Sequence, residues 1–212
     1  MEKLSLKKRL ALVTIPILLQ LLYLPTTRYL TGGIEPKTAL DIVPIWPVWV
    51  VPYMLVWPIW ILAYAWAAFK MPDRLFRVAV VSATITIGAG MIIFMLYPTY
   101  VTRSPLVGDD FFTNSLRQVY ANDGNYDAAP SGHVYMTTLL ALFYSLWYPR
   151  YKWLWISILV IVCLSTLFTG QHYIIDVISG LALGITGYYA GFWLVDKLDK
   201  MNSPKNLSKG PE

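Results

Sequence analysis

Charged side chains are scarce in this chain. They make up 14% of its 212 residues, against 57% hydrophobic ones, and a water-soluble domain of that length needs more charged cover. Histidine is scarcer: there are two, His133 and His172. The one cysteine, Cys163, excludes an intramolecular disulfide and leaves the redox compartment open. No basic patch is interleaved with aromatics, so the net charge of +5 does not point to nucleic acid. The adjacent Asp109 and Asp110 form a poor cation cage without further ligands. No internal repeat is visible.

What the chain does have is long apolar runs of bilayer-crossing length. Its 9 Trp and 15 Tyr suit rings sitting at headgroup level. Together these imply an all-α integral membrane bundle of six transmembrane helices, near residues 10–25, 47–69, 78–97, 133–148, 153–170 and 174–195. The expected organisation is one membrane domain over 1–195 and a flexible, polar cytoplasmic tail over 196–212. The basic start at Lys3, Lys7, Lys8 and Arg9 is followed by no small-residue cleavage site, so the first span is read as uncleaved. Pro47, Pro52 and Pro58 predict an irregular outer part for the second span. Gly180, Gly184, Gly187 and Gly191 in the last span predict close helix packing.

Six spans divide the loops into two sets. One set holds all but four of the 17 Lys and Arg residues; the four are Arg28, Lys37, Arg103 and Arg117. Positive charge favours the cytoplasm, so both termini are expected there. The same path puts Arg103, His133, His172 and Asp176 on the opposite, outer side. The loop 98–129 is expected to carry a short interfacial helix starting near Asp109 and Asp110, with Arg117 a solvated loop charge.

Both histidines stand where an apolar segment meets a polar loop. His172 and Asp176 are four apart, which on a helix brings both onto one face at about 5–6 Å between Cβ atoms. A carboxylate there can hold one ring nitrogen and leave the other free to attack. Pro130-Ser131-Gly132-His133 opens the fourth span. Proline suits a first helical turn, Gly132 lets the backbone approach a phosphate, Ser131 offers a hydroxyl and an amide, and His133 is placed to protonate a leaving oxygen. Arg103 has the forked donor geometry that binds two phosphate oxygens.

These residues resemble the type-2 phosphatidic acid phosphatase superfamily of membrane lipid phosphatases and phosphotransferases, over roughly 78–195. That pattern has a lysine, six residues and Arg-Pro; then Pro-Ser-Gly-His; then Ser-Arg, five residues, His, three residues, Asp. The second part is intact at 130–133. The third reads Ser165-Thr166, five residues, His172, three residues, Asp176. The first keeps Arg103, with Ser104 before Pro105, and has Leu96 where the lysine falls. The resemblance implies that His172 attacks phosphorus to give a phosphohistidine, that Asp176 orients it, and that His133 is the general acid. It implies no metal and no cofactor. Thr166 stands where the family has arginine, so two of three cationic phosphate ligands are missing; Gln171, Thr166 or Arg117 are candidates to substitute. Residues 169–177 look more like the inositol phosphorylceramide synthase and sphingomyelin synthase branch, and a poorer cation cage suits a phosphodiester.

The expected function is therefore a metal-independent phosphatase acting on a membrane lipid phosphate. Its catalytic residues would be His172, Asp176 and His133, and its substrate-binding residues Arg103, Ser131, Gly132, Gln171 and Thr166. The alternatives are a lipid phosphotransferase moving a phospho-headgroup to an alcohol, or a non-catalytic lipid-binding or carrier protein. The expected partners are the bilayer and a lipid phosphate or phosphodiester, and the expected location is the plasma membrane with the site on the extracytoplasmic side. The lipid, the acceptor and the oligomeric state stay open at this level.

Overall fold

In a bilayer core a chain must satisfy its backbone polar groups internally, so long apolar runs fold as helices. The structure, a computed structural model, describes residues 4–29 and 32–201. Eight α-helices follow one another among them: α1 Leu6–Leu21, α2 Tyr23–Tyr29, α3 Val50–Lys70, α4 Asp73–Leu96, α5 Phe111–Asn122, α6 Gly132–Trp147, α7 Lys152–Phe168 and α8 Ile174–Met201. No β-strand occurs among the described residues; two isolated bridges, Ile34 with Thr99 and Tyr100 with Tyr126, tie loops together.

Among the described residues, five helical stretches are long and apolar enough to cross a membrane: Leu6–Thr27, Pro47–Lys70, Asp73–Leu96, Pro149–Phe168 and Ile174–Met201. The expected fourth span, α6, has 16 residues and is shorter than that measure. It is instead buried on nearly all sides, through Tyr135, Thr138, Leu139 and Phe143 among others, which makes it the axis of the bundle.

The last helix lies against α4 and α6 because its glycines leave room. A Cβ on Gly187 would stand 1.8 Å from Thr86 Oγ1 of α4, and one on Gly180 2.9 Å from the Ser131 carbonyl oxygen at the head of α6. Small residues thus set the approach of the backbones, as the Gly-x-x-x-Gly spacing predicts.

At the end of the bundle remote from the histidines, charge is consumed within the fold. Arg9, expected as a loop cation, is buried. It donates to the carbonyls of Ala67 (3.3 Å), Ala68 (3.1 Å) and Met71 (2.7 Å) and pairs with Asp73, locking α1 onto the α3–α4 corner. Arg74 pairs with Asp196, and Arg77 with Asp199 at 2.9 and 3.1 Å. The last helix therefore runs to Met201, beyond the expected boundary at 195; the remainder of the expected tail, 202–212, lies outside the described residues.

The predicted helix after the aspartates is α5. The carboxylate of Asp110 accepts from the amides of Phe112 and Thr113 at 2.9 and 3.1 Å, a side-chain N-cap. Phe111 is exposed while Leu116 is fully buried, so one face of α5 covers the bundle.

Candidate active site

The site begins with a tight reversal between α7 and α8. Gly170 has φ +63°, and a Cβ there would meet Ile45 Cδ1 at 2.6 Å and the Tyr120 hydroxyl at 2.9 Å, so this turn needs glycine. The carbonyl of Thr166 accepts from the amides of Gln171 (3.1 Å) and His172 (3.2 Å). The Tyr120 hydroxyl of α5 donates to the Thr169 carbonyl at 2.6 Å. These bonds fix the backbone of His172, which precedes the first residue of α8.

Asp176 sits in the first turn of α8 and is fully buried. Its Oδ2 accepts from the Tyr173 amide at 2.8 Å and stands 3.4 Å from His172 Nδ1. That contact is an ion-pair distance without hydrogen-bond geometry. The backbone of Asp176 reaches the other motif: its carbonyl accepts from the Ser131 amide at 3.0 Å. The loop before α6 and the start of α8 are thus one hydrogen-bonded unit, and Gly180 one turn on allows it.

His133 lies in the first turn of α6, packed against Tyr53 (4.4 Å between ring centroids), Trp60 (5.6 Å) and Trp57 (6.0 Å) of α3. Its Nε2 has no hydrogen-bond partner. The His133 and His172 rings are 6.3 Å apart between centroids, a gap suited to one tetrahedral anion between two imidazoles. Both rings border one cavity of about 520 Å³, walled by α3, α5, the 123–128 loop, α6 and the junction of α1 and α2.

The structure brings His133, His172, Gly132 and Gln171 to that cavity. Asp176 stands behind His172, and Ser131 lies beneath with its hydroxyl buried and unpartnered. Arg103 and Thr166 do not line it. The Arg103 guanidinium donates to the carbonyls of Tyr120 (2.9 Å), Asp123 (2.9 Å) and Gly124 (2.7 Å) and to Gln171 Oε1, and it covers the Tyr120 ring at 4.7 Å. It anchors the cavity wall and fixes Gln171, whose amide nitrogen remains unpartnered. Thr166 Oγ1 turns back to the Cys163 carbonyl at 2.8 Å. Leu96 is exposed at the end of α4, away from the cavity lining. Arg117 is held by Asp109, Asn114 and the carbonyls of Leu106 and Gly108.

The segment 34–46 straps the outside of this turn. Asp41 Oδ1 accepts from the Ile174 amide at 2.8 Å, capping α8 from a distant part of the chain. Glu35 accepts from the Tyr173 hydroxyl, and this bond holds its carboxyl below the usual glutamate range. Burial, with the Glu35 bond next, raises the Tyr173 phenol. The Trp46 ring stacks on Phe168 at 4.6 Å.

Sequence reasoning missed the acidic side of the cavity. Asp123 accepts from the hydroxyls of Tyr23 (3.1 Å) and Tyr53 (3.2 Å). Asp127 is buried with neither carboxylate oxygen partnered. Burial raises its pKa, and the Asp123 charge adds to this. Two carboxylates four apart, just before Pro-Ser-Gly-His, were the available signal. Among the described residues, the cavity lining includes no Lys or Arg, and no group of three or more His, Cys, Asp or Glu side chains is arranged to hold a metal ion.

This chain belongs to the PAP2 superfamily, whose sequence pattern matches residues 43–190. A stretch of 78 residues is 28% identical to the bacitracin transport permease protein BcrC of Bacillus licheniformis. That alignment covers 37% of this chain, and the chain spans only 38% of the relative's length. No solved structure matches the chain. Membership of the superfamily, together with several apolar helices, defines a multi-pass membrane protein.

Proposed function

We propose that this protein is a metal-independent lipid phosphatase working through a phosphohistidine on His172. The observation that carries this reading is the pair of imidazoles facing one cavity, 6.3 Å apart between centroids, with a fully buried carboxylate behind one of them.

In this reading the free nitrogen of His172 attacks phosphorus, and its proton-bearing nitrogen faces Asp176, which favours the imidazolium that forms. His133 donates a proton to the leaving alkoxide of the lipid. The same imidazole, now neutral, takes a proton from water, which attacks the phosphohistidine and releases phosphate. Gly132 and the start of α6 hold the phosphoryl oxygens, aided by the Gln171 amide; Ser131, whose amide is committed to the Asp176 carbonyl, offers its unpartnered hydroxyl from beneath. Arg103 acts by building the wall and orienting Gln171; contact with phosphate would require it to exchange carbonyls for phosphoryl oxygens. The Thr166 carbonyl positions His172. The six-span path, with both termini cytoplasmic and the site on the outer face of the plasma membrane, belongs to this proposal and rests on the division of Lys and Arg between loops.

Transfer of a phospho-headgroup to an alcohol, as in the inositol phosphorylceramide synthase-like branch, is the second reading. The absence of Lys and Arg from the described cavity lining favours it, because a phosphodiester carries less charge than a monoester. A non-catalytic carrier accounts less well for the buried Asp176 behind His172.

The test is turnover of defined lipid phosphates in proteoliposomes with excess chelator. We expect activity to persist in chelator and to fall by at least ~10³-fold in His172→Ala, as for loss of a nucleophile. An acid-labile phosphoenzyme should appear in the wild type and be absent from the variant. Unchanged turnover in His172→Ala would remove the mechanism, and product analysis separates free phosphate from a new headgroup lipid.

A further inference from the structure

Asp127 is 3% exposed, and neither of its oxygens makes a hydrogen bond of good geometry; the nearby Thr26 hydroxyl donates to the Tyr23 carbonyl at 2.8 Å instead. A buried, unpaired carboxylate is costly, so its persistence at a cavity wall invites a ligand. Two other oxygens on the same cavity are also buried and unpartnered: Gln20 Oε1 of α1 and the hydroxyl of Tyr135, itself fully buried in α6. Asp123 supplies a second carboxylate to the wall, already supported by two phenols. Gln20, Tyr23, Asp123, Asp127 and Tyr135 all line that cavity and form its acidic corner.

The chemistry of that corner is one-sided. Carboxylate and amide oxygens only accept hydrogen bonds, and a phenol can accept as well as donate. A primary ammonium is the complementary group: three donors, no acceptor and a positive charge. The rings of Tyr53, Trp57 and Trp60 on the neighbouring wall add faces that attract a cation. With no Lys or Arg among the described lining residues, a dianionic phosphate monoester meets repulsion from Asp123 and Asp127, whereas a headgroup pairing one phosphate charge with one ammonium does not.

We infer that the corner formed by Asp127, Asp123, Gln20 and Tyr135 is a subsite for the primary ammonium group of a phosphodiester lipid headgroup. It rests on the second reading above, transfer from a phosphodiester, with the phosphate between His133 and His172.

The experiment measures equilibrium binding of four short-chain lipids to the full chain in detergent. Their headgroups are a primary aminoalkyl phosphodiester, its N-trimethyl counterpart, a polyol phosphodiester and a phosphate monoester. Wild type should bind the primary amine at least ~10-fold more tightly than the other three, and Asp127→Asn should lose that preference. His172→Ala should keep the preference while losing turnover, so failure of the nucleophile and failure of the subsite read out separately. Should Asp127→Asn not fold, competition on the wild type decides: free ethanolamine should displace the bound aminoalkyl lipid at concentrations where tetramethylammonium does not. Equal affinity for all four headgroups, a preference surviving Asp127→Asn, or equal displacement by the two amines would overturn the inference.

Discussion

The two ends of the helical bundle handle charge in opposite ways. At one end Arg9, Arg74 and Arg77 each meet a carboxylate, and the carbonyls closing the α3–α4 corner are satisfied by the Arg9 guanidinium. At the other end Asp127 is buried without a donor, Asp176 faces a histidine without hydrogen-bond geometry, and the Ser131 hydroxyl and His133 Nε2 are unpartnered. Satisfied polar groups rigidify a fold, whereas unsatisfied ones are kept at the expense of stability. The difference separates an end whose charges are paired from an end that keeps buried polar groups without partners.

The comparison can be broken most sharply at Arg9. Arg9→Ala removes the guanidinium from which Asp73 and the carbonyls of Ala67, Ala68 and Met71 accept and should cost about 3 kcal/mol, the scale for breaking a buried pair. Arg74→Ala, whose pair with Asp196 is about half exposed, should cost less than ~1 kcal/mol. Equilibrium unfolding in mixed micelles compares the two, and equal losses would deny that the Arg9 lock differs from a surface pair.

The opposite sign is expected at the site end. Asp127→Asn removes an uncompensated buried charge and should stabilise the protein by about 1 kcal/mol at neutral pH. The folded-state pKa of Asp127 is raised above its ordinary value of 3.8, so the folded state favours the protonated form. The wild type is therefore not penalised below about that value, and the advantage of the variant grows as pH rises through the raised pKa. Thermal unfolding across pH, without ligand, checks it; a variant less stable than wild type at neutral pH would contradict the picture.

The smallest effect is expected at Glu35. Its folded pKa lies below the ordinary 4.5 because of the Tyr173 hydroxyl, so its contribution is present above that pH and lost on acidification through the folded value. Glu35→Gln should flatten this acid-side slope and leave neutral-pH unfolding nearly unchanged. An unaltered slope would mean that the strap holds the His172 turn by other contacts.

Much of the candidate site was legible in the residues because it depends on local spacing. His172 and Asp176 are neighbours by chain geometry, and Pro-Ser-Gly-His stands at the start of α6, as its proline and glycine suggested. The α5 N-cap at Asp110 and the glycine contacts of α8 were similarly readable. Arg103 was less so: a guanidinium suits phosphate and carbonyl oxygens alike, and only the path of the 120–124 backbone decided which it meets. Arg9 looked like a loop charge because the carbonyls that bury it lie on α3. The spacing of Asp123 and Asp127 could flag the pair, but not the isolation of Asp127, which reflects what fails to approach it.

The sequence by itself determined the membrane class, the helices and the two histidine motifs, because hydropathy and short-range spacing act within a few turns of chain. Tertiary structure alone decided that the motifs share one hydrogen-bonded unit through Ser131 and Asp176, that the cations close walls instead of facing the cavity, and that two carboxylates line it. Those outcomes depend on which backbone oxygens and helices lie within a few ångströms of each side chain, and only packing sets such distances.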